Sequence, residues 1–222
     1  MRGRFITLEG GEGTGKSTQA AVLAKRLRSL GIGVVQTREP GGSVGAEIIR
    51  HVLLSGAAKP LGADTEAVLF AAARADHISQ TIRPALERGL WVVCDRYIDS
   101  TRVYQGMLGQ VDPRFIRGLE KLTVGDVVPD LTIILDIDPQ VGLRRAAARR
   151  TTAEADRFED ETLDFHERLR EAYMDAAVAD PNRCVLIEAK GTPEAVAEAV
   201  WKVVARRLDP PTAPAVLQDV GT

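Results

Sequence analysis

The stretch Gly10-Gly11-Glu12-Gly13-Thr14-Gly15-Lys16-Ser17 fits the pattern G-x-x-x-x-G-K-[ST] and directly follows an apolar run of strand length, Phe5–Leu8. Glycines let successive backbone N–H groups curl around phosphate oxygens, and the dipole of the helix that follows favours the same anion. In such a phosphate-binding loop Lys16 reaches the β- and γ-phosphates and Ser17 holds a magnesium ion, with Thr18 beside them in the first helical turn. At this chain's own frequencies of the residues involved, a chance match is on the order of 1 in 200. A glycine-rich turn capping a helix would account for the glycines, but not for the strand before, the helix after and the lysine together.

Downstream, Ala20, Leu23, Leu27 and Leu30 recur at three- and four-residue steps, which predicts an amphipathic helix stopped by Gly31 and Gly33. Further strand-length runs stand at Val34–Gln36, Trp91–Cys94, Leu131–Ile137 and Cys184–Ile187. A second helix is predicted from after Asp64-Thr65 through Val68, Ala72, Ala75, Ile82 and Leu86 to Gly89, with a kink or break at Pro84. Strands feeding helices in alternation imply right-handed crossovers and an α/β fold, a five-stranded parallel sheet flanked by helices. The expected organisation is one domain over residues 1–208, with a helical lid at about 143–158 and a disordered tail at 209–222.

Charge and composition narrow the function classes. With 29 Lys+Arg against 31 Asp+Glu in 222 residues, the formal charge of -2 gives no basic footprint for nucleic acid or anionic lipid. The 45% hydrophobic content suffices for a sizeable core and argues against a disordered chain. No apolar run approaches the ~18 residues that span a bilayer, and the start, MRGRFITLEGG, turns glycine-rich too early for a signal peptide. Cys94 and Cys184 are isolated in apolar runs, which sets aside a disulfide framework and a cysteine-type zinc site. His51, His77 and His166 have no metal-ligand spacing and read as ordinary surface or supporting residues. The expectation is a soluble cytoplasmic protein without nucleic-acid or membrane partners.

A phosphate-binding loop alone leaves kinase, GTPase, motor and partition ATPase open. The GTPase class wants a base-reading N-K-x-D segment, and the sequence has none. Asp95 ends the run LWVVCD, and strand ends in such sheets converge on the ligand crevice. A carboxylate there suits magnesium and its water shell, although position alone equally fits a turn residue. Arg96 follows and would direct a forked guanidinium into the same crevice.

With these segments in view, the chain resembles the bacterial thymidylate kinases. The matching residues are Phe5-Ile6-Thr7-Leu8-Glu9-Gly10 leading into the loop, Arg38-Glu39-Pro40-Gly41-Gly42, Phe70-Ala71-Ala72-Ala73-Arg74, and Asp95-Arg96-Tyr97 continuing through Ser100 to Tyr104-Gln105-Gly106. Pro129-Asp130-Leu131, Leu135-Asp136 and the arginine-rich stretch from Arg144 to Arg157 follow in order. The resemblance implies a nucleoside-monophosphate kinase fold, a homodimer, and Mg2+-dependent transfer of the γ-phosphoryl group of ATP to dTMP.

It also implies roles. Arg38, before the turn-forming Glu39-Pro40, would take the dTMP phosphate with its fork geometry, although a solvated strand-end arginine fits the position equally. Phe70 and Arg74 stand four apart on one helix face, where a ring stacks a base and a guanidinium donates to its edge; Phe70 by itself reads as core. Ser100, Thr101, Tyr104 and Gln105 match the part facing the nucleoside, with Tyr104 crowding the sugar 2′ position or else packing half-buried. Glu12 would stand near the dTMP 3′-hydroxyl. Gly13 departs from those relatives that carry a catalytic arginine in the loop, so positive charge must come from elsewhere, alongside Lys16 and Arg96. Arg149, supported by Arg145 and Arg157, best matches a lid arginine closing over ATP. Ala147 stands where some relatives carry another arginine, and with arginine over lysine 23 to 6 throughout, paired arginines on a helix are also ordinary solvated charge. The alternatives are another nucleoside or nucleotide kinase, and a partition or regulatory ATPase. An Arg38 phosphate contact favours a monophosphate acceptor, and an ATPase would not need Phe70, Arg74 and Tyr104.

Overall fold

The computed structural model describes residues 2–149 and 161–211, with the backbone alone at Arg149. Its strands are β1 (Phe5–Glu9), β2 (Val34–Arg38), β3 (Trp91–Asp95), β4 (Leu131–Asp136) and β5 (Cys184–Glu188). Its α-helices are α1 (Lys16–Ser29), α2 (Val44–Leu54), α3 (Gly62–His77), α4 (Arg83–Glu87), α5 (Ile98–Thr101), α6 (Pro113–Thr123), α7 (Pro139–Arg149), α8 (Leu163–Ala179) and α9 (Pro193–Leu208). All ladder pairs are parallel and the strand order is β2-β3-β1-β4-β5. The expected five-stranded parallel sheet is therefore what the chain forms.

Burial explains the composition of each strand. The three central strands, β1, β3 and β4, are covered on both faces and read as continuous apolar runs. One face packs Ile6, Leu8, Val93, Ile133 and Leu135 against Leu23 and Leu27 of α1 and Val196, Val200 and Val204 of α9. The other packs Phe5, Val92 and Cys94 against Ile78, Ile82 and Leu86. Every strand then ends at its carboxyl edge in a charged residue: Glu9, Arg38, Asp95, Asp136 and Glu188. The register sets Leu8 and Arg38 opposite Asp95, and Asp136 opposite Glu188, so these charges share one rim of the sheet. Rims of this kind are where open α/β sheets bind ligands.

Local chemistry places the helices. Asp112, Thr162 and Thr192 cap α6, α8 and α9 by accepting from the backbone N–H of Arg114, Phe165 and Ala195. The helix expected to break at Pro84 is instead distorted upstream. A π-helical turn at Ile78–Ile82 separates α3 from α4, and Pro84 sits in the first turn of α4. The proline ring collides with the carbonyl four residues earlier, at Gln80, so widening the preceding turn relieves the clash. A second π-helical turn, Arg102–Leu108, carries Tyr104 and Gln105 into the interior. Of the expected lid at about 143–158, residues 150–158 lie outside the described residues, as do residues 212–222 of the tail expected at 209–222.

Candidate active site

The phosphate-binding loop lies between β1 and α1 at the carboxyl rim. Gly15 takes a left-handed conformation at the head of α1, Thr14 Oγ1 donates to the Gly11 carbonyl at 2.9 Å, and Lys16 Nζ donates to the same carbonyl at 2.7 Å. Lys16 is buried, and that desolvation followed by the charge of Arg96 holds its ammonium below the usual lysine range. Gly13 has φ of +66°, and a β-carbon there would run into the carbonyl of Gly142 on α7. Gly142 in turn faces the Glu12 carbonyl, so α7 packs backbone to backbone against the loop. The geometry thus leaves no room for an arginine side chain at position 13.

Ser17 Oγ donates to Asp95 Oδ2 at 2.5 Å, and Asp95 Oδ1 is buried without a hydrogen-bond partner. A hydroxyl beside a carboxylate with a spare oxygen is a hard oxygen donor set, the kind that Mg2+ takes while keeping most of its waters. The residues present fit that ion. Among the described residues no group of three or more His, Cys, Asp or Glu is placed to hold a metal.

Arg96, directly after Asp95, is a non-glycine residue with φ of 67°. Its Nη2 donates to Glu12 Oε1 at 2.5 Å, while Nη1 donates to the Gly10 carbonyl, Ser100 Oγ and Tyr173 Oη at 3.2–3.3 Å. Tyr104 Oη also donates to Glu12 Oε1, at 3.1 Å, and the Arg96 guanidinium lies 5.2 Å from the centre of the Tyr104 ring. Burial alone would raise the Glu12 carboxyl, but the charges of Arg96 and Lys16 more than offset it and bring it down to about 2. Glu12 is therefore ionised at neutral pH. Burial pushes the Tyr104 and Tyr173 hydroxyls well above the usual tyrosine range, so both stay protonated donors. Lys16, Ser17, Glu12, Asp95, Arg96, Ser100 and Tyr104 thus converge on one place.

Arg74 and Thr101 form a second group. Arg74 Nε donates to Glu39 Oε2 at 2.7 Å, and its Nη2 donates to the Tyr97 carbonyl and Thr101 Oγ1 at 3.1 Å each. Glu39, before the cis peptide bond to Pro40, is shared with His77, whose Nδ1 lies 3.0 Å from Glu39 Oε1 and whose Nε2 lies 2.7 Å from Thr37 Oγ1. His77 is fully buried, and His166 nearly so, so of the two readings, surface or supporting residue, only the supporting one fits them. Phe70 is half-buried on α3, and Gln105 is buried.

Two expected arginines, Arg38 and Arg145, rest on other partners. Arg38 is exposed and its Nη2 rests on both oxygens of Glu47, at 3.0 and 3.1 Å. Arg145 donates to the carbonyls of Ala189 and Lys190 at 2.9 and 3.2 Å. The Arg149 side chain and Arg157 lie outside the described residues. Residue typing alone missed Glu39, His77 and Tyr173, and gave Glu9 no role. Burial pushes the Glu9 carboxyl up to about 7, with nearby Asp99 adding to it. The available signal was position: Glu9 and Glu39 each end or follow a strand at the rim.

Comparison with known proteins agrees with this geometry. A family model described as thymidylate kinase matches residues 8–200. A thymidylate kinase of Nitrobacter winogradskyi is 59% identical over 201 residues, covering 90% of this chain and 87% of its own. One of Bradyrhizobium diazoefficiens is 56% identical over 215 residues, covering 97% of this chain and 94% of its own. Among solved structures, the crystal structure of thymidylate kinase from Ehrlichia chaffeensis superposes with a TM-score of 0.75 at 34% identity, over 92% of this chain and 100% of that one. With the loop, the rim of charges and the sheet order all in place, the chain belongs to the thymidylate kinase family.

Proposed function

We propose that this chain transfers the γ-phosphoryl group of ATP to the phosphate of dTMP, giving dTDP and ADP in dTTP synthesis, with Mg2+ held by Ser17 and Asp95. The observation that carries this reading is the meeting of Lys16, from the loop, and Arg96, from the end of β3, around the ionised carboxylate of Glu12. One cation serves each phosphate, and the carboxylate between them offsets their mutual repulsion. When bound there, Mg2+ would supply positive charge that offsets the negative charge of the ATP phosphates. The backbone of Gly10–Gly15, with Lys16, Ser17 and Thr18, cradles the ATP phosphates.

On the acceptor side, Arg96 and Arg38 take the dTMP phosphate. Arg38 reaches it by leaving Glu47, an exposed pair that costs little to break. Phe70 stacks the base, Arg74 donates to its edge, and Pro40, Ser100, Thr101 and Gln105 complete the wall. Glu12 accepts from the sugar 3′-hydroxyl while Tyr104 crowds the 2′ position. Because Gly13 admits no side chain, Arg149, with Arg145 and Arg157, supplies the remaining charge from the lid.

The reading includes a homodimer, for which α2 is the support. Val44, Ile48 and Val52 recur every four residues and are 84%, 67% and 38% exposed, with Val68 of the adjacent α3 also exposed. An apolar stripe of that length on a helix is suited to a second copy. A cytoplasmic setting goes with ATP and dTMP as substrates; among the described residues no helix is long and apolar enough to cross a membrane.

The test is a coupled ADP-release assay with Mg2+–ATP and a panel of monophosphates. Stacking, edge hydrogen bonds and 2′ exclusion act together, so kcat/KM for dTMP should exceed that for UMP, CMP and AMP by at least ~100-fold. Equal activity on UMP, or ADP release only without an acceptor, overturns the reading.

A further inference from the structure

Glu9 closes β1 with its side chain fully buried, and the function proposed above gives it no part. It nonetheless accepts four hydrogen bonds. Oε1 accepts from the backbone N–H of Tyr97 at 2.7 Å and of Ser100 at 3.3 Å. Oε2 accepts from Ser100 Oγ at 2.7 Å and from Tyr173 Oη at 3.2 Å. Those partners come from Tyr97 and α5, just after β3, and from α8, so one carboxylate ties two separate parts of the chain to the end of β1.

The direction of these bonds matters. In the ionised form, which predominates above about pH 7, the Glu9 carboxylate only accepts, and a hydroxyl has a single proton to give. Ser100 and Tyr173, by donating to Glu9, turn their lone pairs outward. Both oxygens then accept from Arg96 Nη1, at 3.3 and 3.2 Å. Arg96 itself holds a left-handed backbone, which is strained for a non-glycine residue and persists only where the surroundings over-determine it. The bonds from Oε1 to Tyr97 and Ser100 fix the chain immediately after it.

We propose that Glu9 is a positioning residue for the acceptor phosphate: it locks the turn that follows Arg96 and orients the Ser100 and Tyr173 hydroxyls so that the guanidinium is held toward the substrate. This rests on the reading of Arg96 as a ligand of that phosphate. The carboxylate acts through Arg96 and touches no substrate.

Glu9→Gln keeps the size of the side chain but replaces one accepting oxygen by a donating NH2, which forces the two hydroxyl protons round toward Arg96. Losing hydrogen bonds of this kind around a charged group should lower kcat/KM for dTMP by about 10- to 100-fold. The KM for ATP should stay within about twofold, because the loop contacts of Lys16 are untouched. Tyr173→Phe should lower kcat/KM for dTMP by at least about threefold, and the double variant should lose less than the product of the two single losses, since both act on one network. An Arg96→Ala variant assayed alongside separates the two layers. If it leaves dTMP turnover unchanged, the Arg96 reading itself falls. If Arg96→Ala is impaired while Glu9→Gln matches the wild type, the role of Glu9 alone is overturned. Glu9→Gln weakening ATP and dTMP equally would mark the carboxylate as merely structural, and also overturns it. Should Glu9→Gln not fold, Tyr173→Phe with unchanged dTMP kinetics overturns the proposal.

Discussion

At the scale of single residues, the site is governed by which carboxylates are ionised. Glu12 sits between Arg96 and Lys16, and its carboxyl is brought down to about 2 against the opposing effect of burial. Stability rises with pH wherever the unfolded chain holds more protons than the folded one, as a depressed carboxyl makes it do between the folded and the ordinary value. That contribution is fully present above the ordinary value of 4.5 and is lost as pH falls from there through about 2. The stability difference between wild type and Glu12→Gln, measured by urea unfolding, should therefore be flat from pH 5 to 7 and shrink as pH falls from about 4.5 toward 2. A difference independent of pH would show that Glu12 is not held by those charges. The relay Thr37–His77–Glu39–Arg74 is equally a residue-scale device. None of it is visible in spacing, because His77 and Glu39 are brought together by the packing of α3 over the end of β2.

At the scale of elements, the phosphate-binding loop and the strands were legible because their signals are local. Each expected strand overlaps an observed one; four extend by a residue or two to a charged end, as at Glu9, Arg38 and Asp95, while the run expected to reach Ile137 stops one residue earlier at Asp136. The end of the helix through Pro84 was legible in kind but not in place, since the proline perturbs the turn before it. The π-helical turn that buries Tyr104 had no sequence signal, because it depends on what packs around it. The contact between α7 and the loop was also hidden: Gly13 and Gly142 are far apart in the chain, and only their approach shows why both lack side chains. Gly13→Ala should push α7 off the loop and place a β-carbon at an unfavourable positive φ, costing roughly 1–3 kcal/mol of stability. Thermal unfolding should show the loss, and kcat should fall with it; an unchanged melting temperature and turnover would mean that α7 does not need this approach.

At the scale of the whole molecule, a rim of charges at one edge of a buried sheet and an apolar stripe on α2 divide the work. The rim builds the site, and the stripe is what the proposed dimer covers. Ile48→Asp, in the middle of the stripe, should shift sedimentation from about twice the 24.0 kDa chain mass to the single-chain value, since a buried unpaired charge costs several kcal/mol. A wild-type protein that sediments only at the single-chain mass at micromolar concentration would remove the dimer. The central claim is the transfer itself, and it is read most directly by following the label from γ-32P-ATP in the presence of Mg2+ and dTMP. Label should appear in dTDP in step with ADP formation, and should fall by at least about 100-fold with Arg149→Ala while dTMP affinity changes less than about fivefold. Label that goes only to inorganic phosphate, with no labelled dTDP at any dTMP concentration, would contradict the account.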